Sequence, residues 1–297
     1  NLIELWSIFD FIMPGYLDNV HNFKNRFINK ENTAIELQKY IKPFMLRRLK
    51  KDVIRELPEK IEKNYYVELT KEQKKVYASY VKDIKEKMEN DEFSDDKITI
   101  FSYLTKLRQL CLDPFVVLDD YNGKSGKIEE AVSIIENNVL DNHKILLFSQ
   151  FKSELKNISK RLCEKNIKHF YLDGSTNAGK RMELVEQFNN NDETKVFLIS
   201  LKAGGTGLNL TSADIVIHFD PWWNPAVEDQ ATDRAHRIGQ ENVVQVFKLI
   251  SEGTVEDKIL SLQEKKKQLI KDVLDSDYKH DNILGSLSKE ELIELFE

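Results

Sequence analysis

The chain has 297 residues, of which 41% are hydrophobic and 32% are charged, and its formal net charge is −6. This composition is that of a folded, soluble protein of about two domains, which excludes a largely disordered chain. No apolar run approaches the ~18 residues of a membrane span, and the net acidity gives no support to nucleic-acid binding by the chain as a whole.

The cysteine content and the N-terminal sequence indicate the cellular compartment in which the protein is expected. The sequence has two cysteines, Cys111 and Cys163, without a CxxC pair or a Cys/His cluster at ligand spacing, so neither a disulfide framework nor a metal site is predicted. The start at Asn1 predicts a piece of a longer protein. Without a signal-peptide pattern we expect an intracellular location: cytoplasm or nucleoid in a bacterium, nucleus in a eukaryote.

The first 90 residues show mostly helical periodicity, as in LIELWSIFDFI and KEQKKVYASYVKDIKEKM. Thr70 stands three residues before Gln73, which predicts a capped helix start. A further helical pattern, LTKLRQLCL, follows a polar interruption. We expect the main domain boundary between Glu92 and Gly126.

After Gly126, apolar strands alternate with helical patterns. The predicted strands are 144–148, 169–173, 195–200, 214–220 and 243–250, and the predicted helices are 127–140, 151–165, 180–190, 226–237 and 254–274. This alternation predicts an α/β fold, with a mainly parallel, doubly wound sheet between two layers of helices. Because ligands bind beyond the carboxyl ends of strands in such sheets, the sequences that follow the strands are the candidate sites.

The segment DGSTNAGKR, after the second predicted strand, has the spacing of a phosphate-binding P-loop at Gly174 and Gly179-Lys180. The next residue is Arg181, where a P-loop needs a Ser or Thr hydroxyl to hold Mg²⁺. A guanidinium only donates hydrogen bonds and always carries positive charge, so it does not ligate a cation. A self-contained P-loop NTPase that uses Gly174 to Lys180 is therefore kept as an alternative only.

The segment SLKAGGTGLNLTS, after the third predicted strand, holds Gly204, Gly205 and Gly207 within four residues. Glycines at the end of a buried strand let backbone N–H groups approach a ligand. The other interpretation is a tight turn. The glycines alone do not decide between the two.

The segment DQATDRAHRIGQ places Gln230, Arg234 and Arg237 at positions i, i+4 and i+7, which predicts one helix face with an amide and two guanidiniums. Two fixed cations suit the charge of a transferring γ-phosphoryl group. The alternative is a surface ion-pair network in which Asp229 and Asp233 neutralise the arginines.

The segment PWWNP, after the fourth predicted strand, places Trp222 and Trp223 between two prolines. Buried tryptophans are usually part of a core, whereas a pair in a loop can stack on nucleic-acid bases. Both interpretations stay open on the sequence.

Several of these segments together resemble the second-lobe motifs of the Swi/Snf family of helicase-like, DNA-translocating ATPases of superfamily two. The segments are SGKIEEA, KILLFSQF, YLDGST, SLKAGGTGLNLTSADIVIHFDPWWNP and ATDRAHRIGQ. NLIELWSIFDFIMPG and PFMLRRLKKDVIRELPEK resemble segments that follow the first-lobe motifs. The resemblance covers nearly the whole chain, and DPWWNP with DRAHRIGQ is its most specific part.

The resemblance implies three parts: a helical protrusion and linker (1–120), a RecA-like second helicase lobe (121–253) and a C-terminal helical brace (254–297). It implies that ATP and Mg²⁺ are bound mainly by a first RecA-like lobe of the same protein, which would precede Asn1. DGST then becomes a motif that faces DNA rather than a P-loop.

Roles for individual residues follow from the resemblance. Arg234 and Arg237 would reach the γ-phosphate, and Gln230 would help to position water or phosphate. The nucleotide edge would be formed by Gly205, Gly207 and Asn209. The residues that would face DNA are Ser149, Gln150, Gly174, Ser175, Thr176, Lys202 and Trp223.

The implied function is that of the second motor lobe of an ATP-dependent translocase or remodeller of double-stranded DNA. Its partners would be duplex DNA, the first lobe and a nucleoprotein substrate, with no membrane. ATP hydrolysis would depend on DNA and on the full-length protein, and this chain alone would be inactive. The alternatives are a strand-separating superfamily-two helicase, the self-contained P-loop NTPase, and a non-enzymatic module that binds DNA or a partner.

Overall fold

The computed structural model describes residues 2–28, 33–45, 57–89, 97–204, 207–261, 264 and 294–296. The chain divides into two compact units, Asn1–Glu56 and Leu57–Glu297. None of the helices in these described ranges is both long and apolar enough to cross a membrane.

The first unit is helical, as its periodicity predicts. It contains helices α1 (Leu2–Ile12), α2 (Val20–Phe23) and α3 (Ala34–Ile41), a π-helical turn at Lys24–Ile28 and a 3₁₀ turn at Lys42–Phe44. Asn19 caps α2 by accepting a hydrogen bond from the N–H of Asn22 at 2.9 Å. The buried core of this unit consists of Phe9, Leu17, Phe23, Phe27 and Leu37.

The second unit is built on a six-stranded sheet in which every pairing is parallel. The strands are β1 (Lys60–Val67), β2 (Ile145–Ser149), β3 (His169–Leu172), β4 (Val196–Ser200), β5 (Ile215–His218) and β6 (Val244–Ser251). Their order across the sheet is β1-β6-β5-β2-β4-β3. The predicted parallel α/β sheet is confirmed.

The described helices of this unit follow β1, alternate with the later strands and continue after β6. They are α4 (Lys71–Glu89), α5 (Lys97–Leu112), α6 (Gly126–Leu140), α7 (Lys152–Glu164), α8 (Ala178–Asn190), α9 (Leu201–Gly204), α10 (Pro225–Thr232) and α11 (255–261), with 3₁₀ turns at Pro114–Val116 and Glu294–Phe296. Helices α6 and α7 contribute to the hydrophobic core on one face of the sheet, and α8 to α10 contribute to the core on the other.

Strand β2 illustrates why the sheet is buried on both faces. Ile145 and Leu147 belong to the core shared with α6 and α7, whereas Leu146 and Phe148 belong to the core shared with α8 to α10. Alternate side chains of a strand point to opposite faces, so a strand covered on both sides needs a continuous apolar run. This requirement explains why the runs after Gly126 predicted their strands correctly.

Strand β1 was not predicted, because the sequence indicated mostly helical structure up to Asn90. The strand pairs in parallel with β6, from Lys60 opposite Val244 to Val67 opposite Ser251. Six of its eight residues are exposed, so KIEKNYYV lacks the apolar run of a buried strand. Pairing with a strand more than 180 residues later supplies its backbone hydrogen bonds. Residues 57–67 therefore belong to the sheet's compact unit, and the three-part division 1–120, 121–253 and 254–297 stays a prediction.

The start of α4 is capped as predicted. The N–H of Gln73 donates to Thr70 Oγ1 and the N–H of Thr70 donates to Gln73 Oε1, both at 3.2 Å. Gln73 Oε1 also accepts from the N–H of Gly126 at 2.9 Å, and its amide nitrogen donates to the Leu110 carbonyl at 3.4 Å. One buried glutamine therefore joins α4, the end of α5 and the start of α6.

The predicted helix 254–274 is described as far as residue 261. Val255 and Ile259 on α11, with Leu295 and Phe296, pack in one core cluster with apolar residues of α4 and α5. The rest of the predicted helix and of the C-terminal brace lies outside the described residues, apart from Glu264 and the turn at Glu294–Phe296.

A buried histidine makes the stability of this fold sensitive to pH. His218 is 2% exposed, its Nε2 lies 2.9 Å from Thr232 Oγ1, and its ring stacks on Phe148. Burial and the charge of Lys248 lower the pKa of His218 from 6.5 to about 3. Since the unfolded chain binds the proton more readily, the neutral ring contributes stability above pH 6.5, and this stability is lost as the pH falls toward 3.

We therefore expect the free energy of unfolding of the wild type to fall by about 2 kcal/mol more than that of His218→Gln between pH 7 and pH 5. Urea denaturation at both pH values measures the difference. His21→Gln, at an exposed histidine, is the matched control and should keep the wild-type slope. Equal slopes for wild type and His218→Gln would show that the ring does not titrate in this way.

Candidate functional site

Four of the loops that carry candidate residues begin along one edge of the sheet. They follow β5, β2, β4 and β3, which are neighbours in that order and run in parallel. Parallel strands place their carboxyl ends at the same edge. PWWNP, Ser149-Gln150, the glycine segment and DGST therefore lie side by side, as the alternation of strands and helices predicted.

The segment with the two arginines departs from the predicted helix 226–237. Helix α10 ends at Thr232, and Gln230 is exposed on it. Beyond it, the N–H of Arg234 donates to the Ala231 carbonyl at 3.1 Å, and Gly239 has a φ of +98°. Gln230, Arg234 and Arg237 therefore do not share a continuous helix face, and that prediction was wrong.

Tertiary hydrogen bonds account for this early helix end. The His236 ring donates from Nε2 to the Pro58 carbonyl at 2.8 Å. The buried Gln240 amide donates to the carbonyls of Ala213 at 2.8 Å and Ala235 at 3.2 Å. These contacts hold the segment in turns, and local helical propensity does not anticipate contacts so distant in sequence.

The arginine segment is bonded to the segment that follows the glycines. The Leu210 N–H donates to the Arg234 carbonyl at 3.0 Å, and Arg237 Nη1 donates to the Leu208 carbonyl at 3.4 Å. Both arginines are half-buried. Burial and the nearby charge of Arg237 lower the pKa of Arg234. The charge of Asp233 acts in the opposite direction, so the two guanidiniums lie near each other with a carboxylate close by.

Glycine is favoured at Gly204 and at Gly207 for different structural reasons. A Cβ at Gly204 would lie 2.8 Å from Cε1 of Phe148, so this glycine allows close packing on β2. Gly207 is exposed and has a φ of +48°, which favours glycine. Asn209 is exposed, and its carbonyl accepts from the Asn189 side chain at 2.8 Å. Gly205 lies outside the described residues.

The DGST turn is fixed from within by Asp173. Its Oδ1 accepts from the N–H of Ser175 at 2.7 Å and from the Ser175 hydroxyl at 2.5 Å, and the Asp173 N–H donates to Thr176 Oγ1 at 3.2 Å. The Ser175 hydroxyl, with Lys152 Nζ 3.3 Å from Oδ2, lowers the pKa of Asp173 to about 2. Gly174 and Ser175 are exposed and Thr176 is half-buried.

The geometry after DGST counts against a P-loop. Asn177 caps α8 by accepting from the Lys180 N–H at 2.8 Å, which occupies an amide that a phosphate would need. Lys180 Nζ pairs with Glu183 at 3.0 Å on the exposed surface of the helix. Neither group is arranged to cradle a phosphate.

A buried carboxylate organises the ends of β2 and β5. Asp220 is 3% exposed, and it accepts from the Ser149 hydroxyl and from the Gln150 side-chain amide, each at 2.5 Å. Burial raises the pKa of Asp220, while the Arg108 charge and the Ser149 hydroxyl act in the opposite direction. Ser149 is itself 1% exposed. The prediction that its side chain faces DNA is corrected, because its hydroxyl is committed to Asp220.

The two tryptophans pack into different clusters. Trp222 packs against the core that includes α9 and α10, and Trp223 packs against the cluster that includes α4 and α5. Both are half-buried, so the core interpretation accounts for part of each ring. Lys202, the lysine of the glycine segment, is exposed.

Sequence reasoning missed Arg108, which is 2% exposed. Its Nη2 donates to the Pro221 carbonyl at 2.5 Å and lies 3.5 Å from Asp220 Oδ2. The signal was present in LTKLRQLCL, since Arg108 follows the core residue Leu104 by four positions and so continues the buried helix face. Within the described residues, no group of three or more His, Cys, Asp or Glu side chains is arranged to hold a metal ion.

Comparison with known proteins was made for the sequence and for the fold. The family model of the SNF2-related domain matches residues 1–116, and that of the helicase conserved C-terminal domain matches residues 126–239. The chain is 36% identical to the SWI2/SNF2 ATPase C-terminal domain of Sulfolobus solfataricus, covering 80% of this chain and 98% of that one at a TM-score of 0.64. The chain belongs to the Swi/Snf family.

Two further relatives of this Swi/Snf chain are a structure solved with bound DNA and a protein named as a helicase. The Sulfolobus solfataricus SWI2/SNF2 ATPase core in complex with double-stranded DNA is 38% identical, covering 98% of this chain and 63% of that one at a TM-score of 0.65. An uncharacterized ATP-dependent helicase of Mycoplasma genitalium is 41% identical over 301 residues, covering all of this chain and 28% of that protein. The chain therefore spans under a third of that relative's length. The six-stranded sheet and its flanking helices form the RecA-like fold of the SWI2/SNF2 cores, as expected.

We expect Gly204→Ala to destabilise the second unit by about 1–3 kcal/mol, because the added methyl group overpacks against Phe148. Gly179→Ala is the matched control, since its Cβ would meet its nearest neighbour at 3.7 Å within helix α8. There alanine should be neutral, or stabilising by up to ~1 kcal/mol. Urea denaturation measures both, and equal stability of the two variants would contradict a packing role for Gly204.

Proposed function

We propose that this chain forms the second motor lobe of an ATP-dependent translocase that moves on double-stranded DNA and remodels nucleoprotein complexes. The observation that carries the proposal is the bonding of the Arg234–Arg237 segment to Leu208 and Leu210, in a unit whose DGST and PWWNP loops lie at the carboxyl ends of the strands. The proposed phosphate-binding groups and the proposed DNA-binding groups therefore belong to one compact unit. The duplex-bound Sulfolobus solfataricus core and the helicase name of the Mycoplasma genitalium relative support it.

The arginine segment faces the nucleotide in this proposal. Arg234 and Arg237 supply two adjacent cations for the γ-phosphate of ATP, which with Mg²⁺ is held mainly by a first RecA-like lobe. Two neighbouring guanidiniums suit an anionic ligand such as a phosphate. Gln230, exposed on α10, positions water or phosphate. The backbones of Gly205, Gly207 and Asn209 form the nucleotide edge. When bound, ATP supplies the phosphoryl group whose transfer to water drives movement.

The DNA-facing side uses mainly groups that do not read bases. Gly174, Ser175 and Lys202 are exposed, and Gln150 and Thr176 are half-buried. Hydroxyls, backbone N–H groups and one lysine suit phosphate contacts, which position a duplex without reading its sequence. Trp223 contributes its accessible part to the DNA, and Ser149 acts through Asp220.

The two faces together suggest a working cycle. Closure of the two lobes on ATP brings Arg234 and Arg237 to the phosphate, and opening after hydrolysis moves the DNA-facing loops along the duplex. The phosphate-binding loop belongs to the first lobe in this scheme. The chain by itself therefore should not hydrolyse ATP, and hydrolysis by the two-lobe protein should depend on DNA.

In the two-lobe protein, Arg237→Ala should lower kcat for ATP hydrolysis by about 10²-fold or more and change ATP affinity much less. The reason is that an arginine at the γ-phosphate mainly stabilises the charge of the transition state. Steady-state ATPase assays with duplex DNA measure both. The control is Arg161→Ala, at a surface arginine paired with Glu129 and Glu164, which should keep wild-type rates. An unchanged kcat with lost folding stability would instead favour a structural role.

The two-lobe protein should displace a third strand from a triplex and should not release one strand of a plain duplex. Lys202→Ala should weaken binding equally on unrelated sequences and reduce the salt slope by about 0.9, because one phosphate contact is lost. The control is Lys160→Ala, at an exposed lysine of α7, which should bind like wild type. Release of one duplex strand without triplex displacement would instead favour the alternative function, a strand-separating helicase.

A further inference from the structure

Two buried charged side chains hold the segment from Asp220 to Trp223, and each comes from a different helix. Arg108 comes from α5, and Glu228 comes from α10. Both are almost fully buried. The PWWNP loop is therefore held from within the protein as well as by its own prolines.

Arg108 holds the first half of the segment. Its guanidinium donates to the Pro221 carbonyl and pairs with Asp220, and it lies 5.0 Å from the ring centroid of Trp223. It also lies 5.6 Å from the Phe151 ring, at the start of α7. A planar guanidinium can stack on rings and bond in its plane at the same time, which the ammonium of lysine cannot do.

Glu228 holds the second half of the segment. Its Oε1 accepts from the Trp222 N–H at 2.6 Å, and its Oε2 pairs with Lys248 of β6 at 3.2 Å. Lys248 also pairs with Glu62 of β1 at 3.3 Å. This carboxylate thus ties the loop backbone to β6, the neighbour of β5, and through Lys248 to the edge strand β1.

The held segment touches both functional sides of the proposed motor. Asp220 binds the side chain of Gln150, which is on the proposed DNA side. Glu228 stands on the same short helix as Gln230, and the chain continues from that helix into the turn of Arg234 on the proposed nucleotide side. A buried hydrogen bond therefore links α10 to the backbone of the loop. Breaking a buried charged contact is costly because the partner left behind is unpaired.

We propose that Arg108 and Glu228 are positioning residues that couple the arginine segment to the PWWNP loop, so that hydrolysis at one is converted into movement of DNA at the other. This inference rests on the proposed translocase function. Neither residue touches nucleotide or DNA in the proposal. Their substitution should therefore lower movement per ATP more than it lowers hydrolysis.

The first test measures triplex strands displaced per ATP hydrolysed by the two-lobe protein. Arg108→Met and Glu228→Met should lower this ratio by about fivefold. Glu228→Gln keeps an oxygen that accepts from the Trp222 N–H and should retain most of the ratio. The matched control is Lys144→Met, which removes a buried cation just before β2, at the opposite end of the strand. It should cost stability but leave the ratio unchanged.

The coupling role is wrong if both methionine variants at Arg108 and Glu228 keep the wild-type ratio. It is also wrong if Lys144→Met lowers the ratio as much as they do, because the loss would then follow stability alone. The comparison of Glu228→Gln with Glu228→Met separates the hydrogen bond from the charge. A full loss in Glu228→Gln would contradict a role for the bond to Trp222.

A second readout does not depend on translocation. With Trp6→Phe, the remaining tryptophans of the chain are Trp222 and Trp223, and acrylamide quenching of their fluorescence reports the loop. Arg108→Met and Glu228→Met should raise the quenching constant, and Lys144→Met should not. If the wild-type two-lobe protein displaces no triplex, the translocase proposal fails, and quenching alone decides the positioning role. Unchanged quenching in both variants overturns it.

Discussion

Parallel pairing of β5, β2, β4 and β3 is the constraint on which the Ser149-Gln150, DGST and PWWNP sites depend. It places the carboxyl ends of four strands at one edge, so residues from 149 to 223 become neighbours although up to 74 positions separate them. Both faces of these strands are covered by helices, which leaves their ends as the places where polar groups reach the surface. Helix packing thus gathers the Ser149-Gln150, DGST and PWWNP loops of this Swi/Snf chain at one edge of the sheet.

Buried carboxylates at this edge hold the loops in place by accepting hydrogen bonds from backbone N–H groups and side chains. Asp173 closes the DGST turn, Asp220 holds Ser149 and Gln150, and Glu228 accepts from the Trp222 N–H. A carboxylate can satisfy several donors at once, which suits loops whose N–H groups have no strand partner. Three strand-end loops are therefore held in one arrangement before any ligand arrives, which limits the reorganisation that binding requires.

The candidate site could be predicted from sequence where its geometry follows from local pattern, and not where distant residues decide it. DGST, PWWNP and the glycine segment follow apolar strands, so their common edge could be predicted. The helix face of Gln230, Arg234 and Arg237 could not, because Pro58 and Ala213 hold the chain in turns after Thr232. The burial of Ser149 depends on Asp220, 71 residues away.

The sequence by itself determined the parallel sheet after Gly126, the capped start of α4 at Thr70 and the resemblance to the Swi/Snf family, because continuous apolar runs, caps and motifs are local signals. Only the tertiary structure decided that residues 60–67 form an edge strand, since exposed side chains carry little pattern and the hydrogen bonds come from β6. It also decided that Arg108 lies beneath the PWWNP loop. A buried charge is stable only where a distant partner meets it, and the fold alone brings that partner into contact.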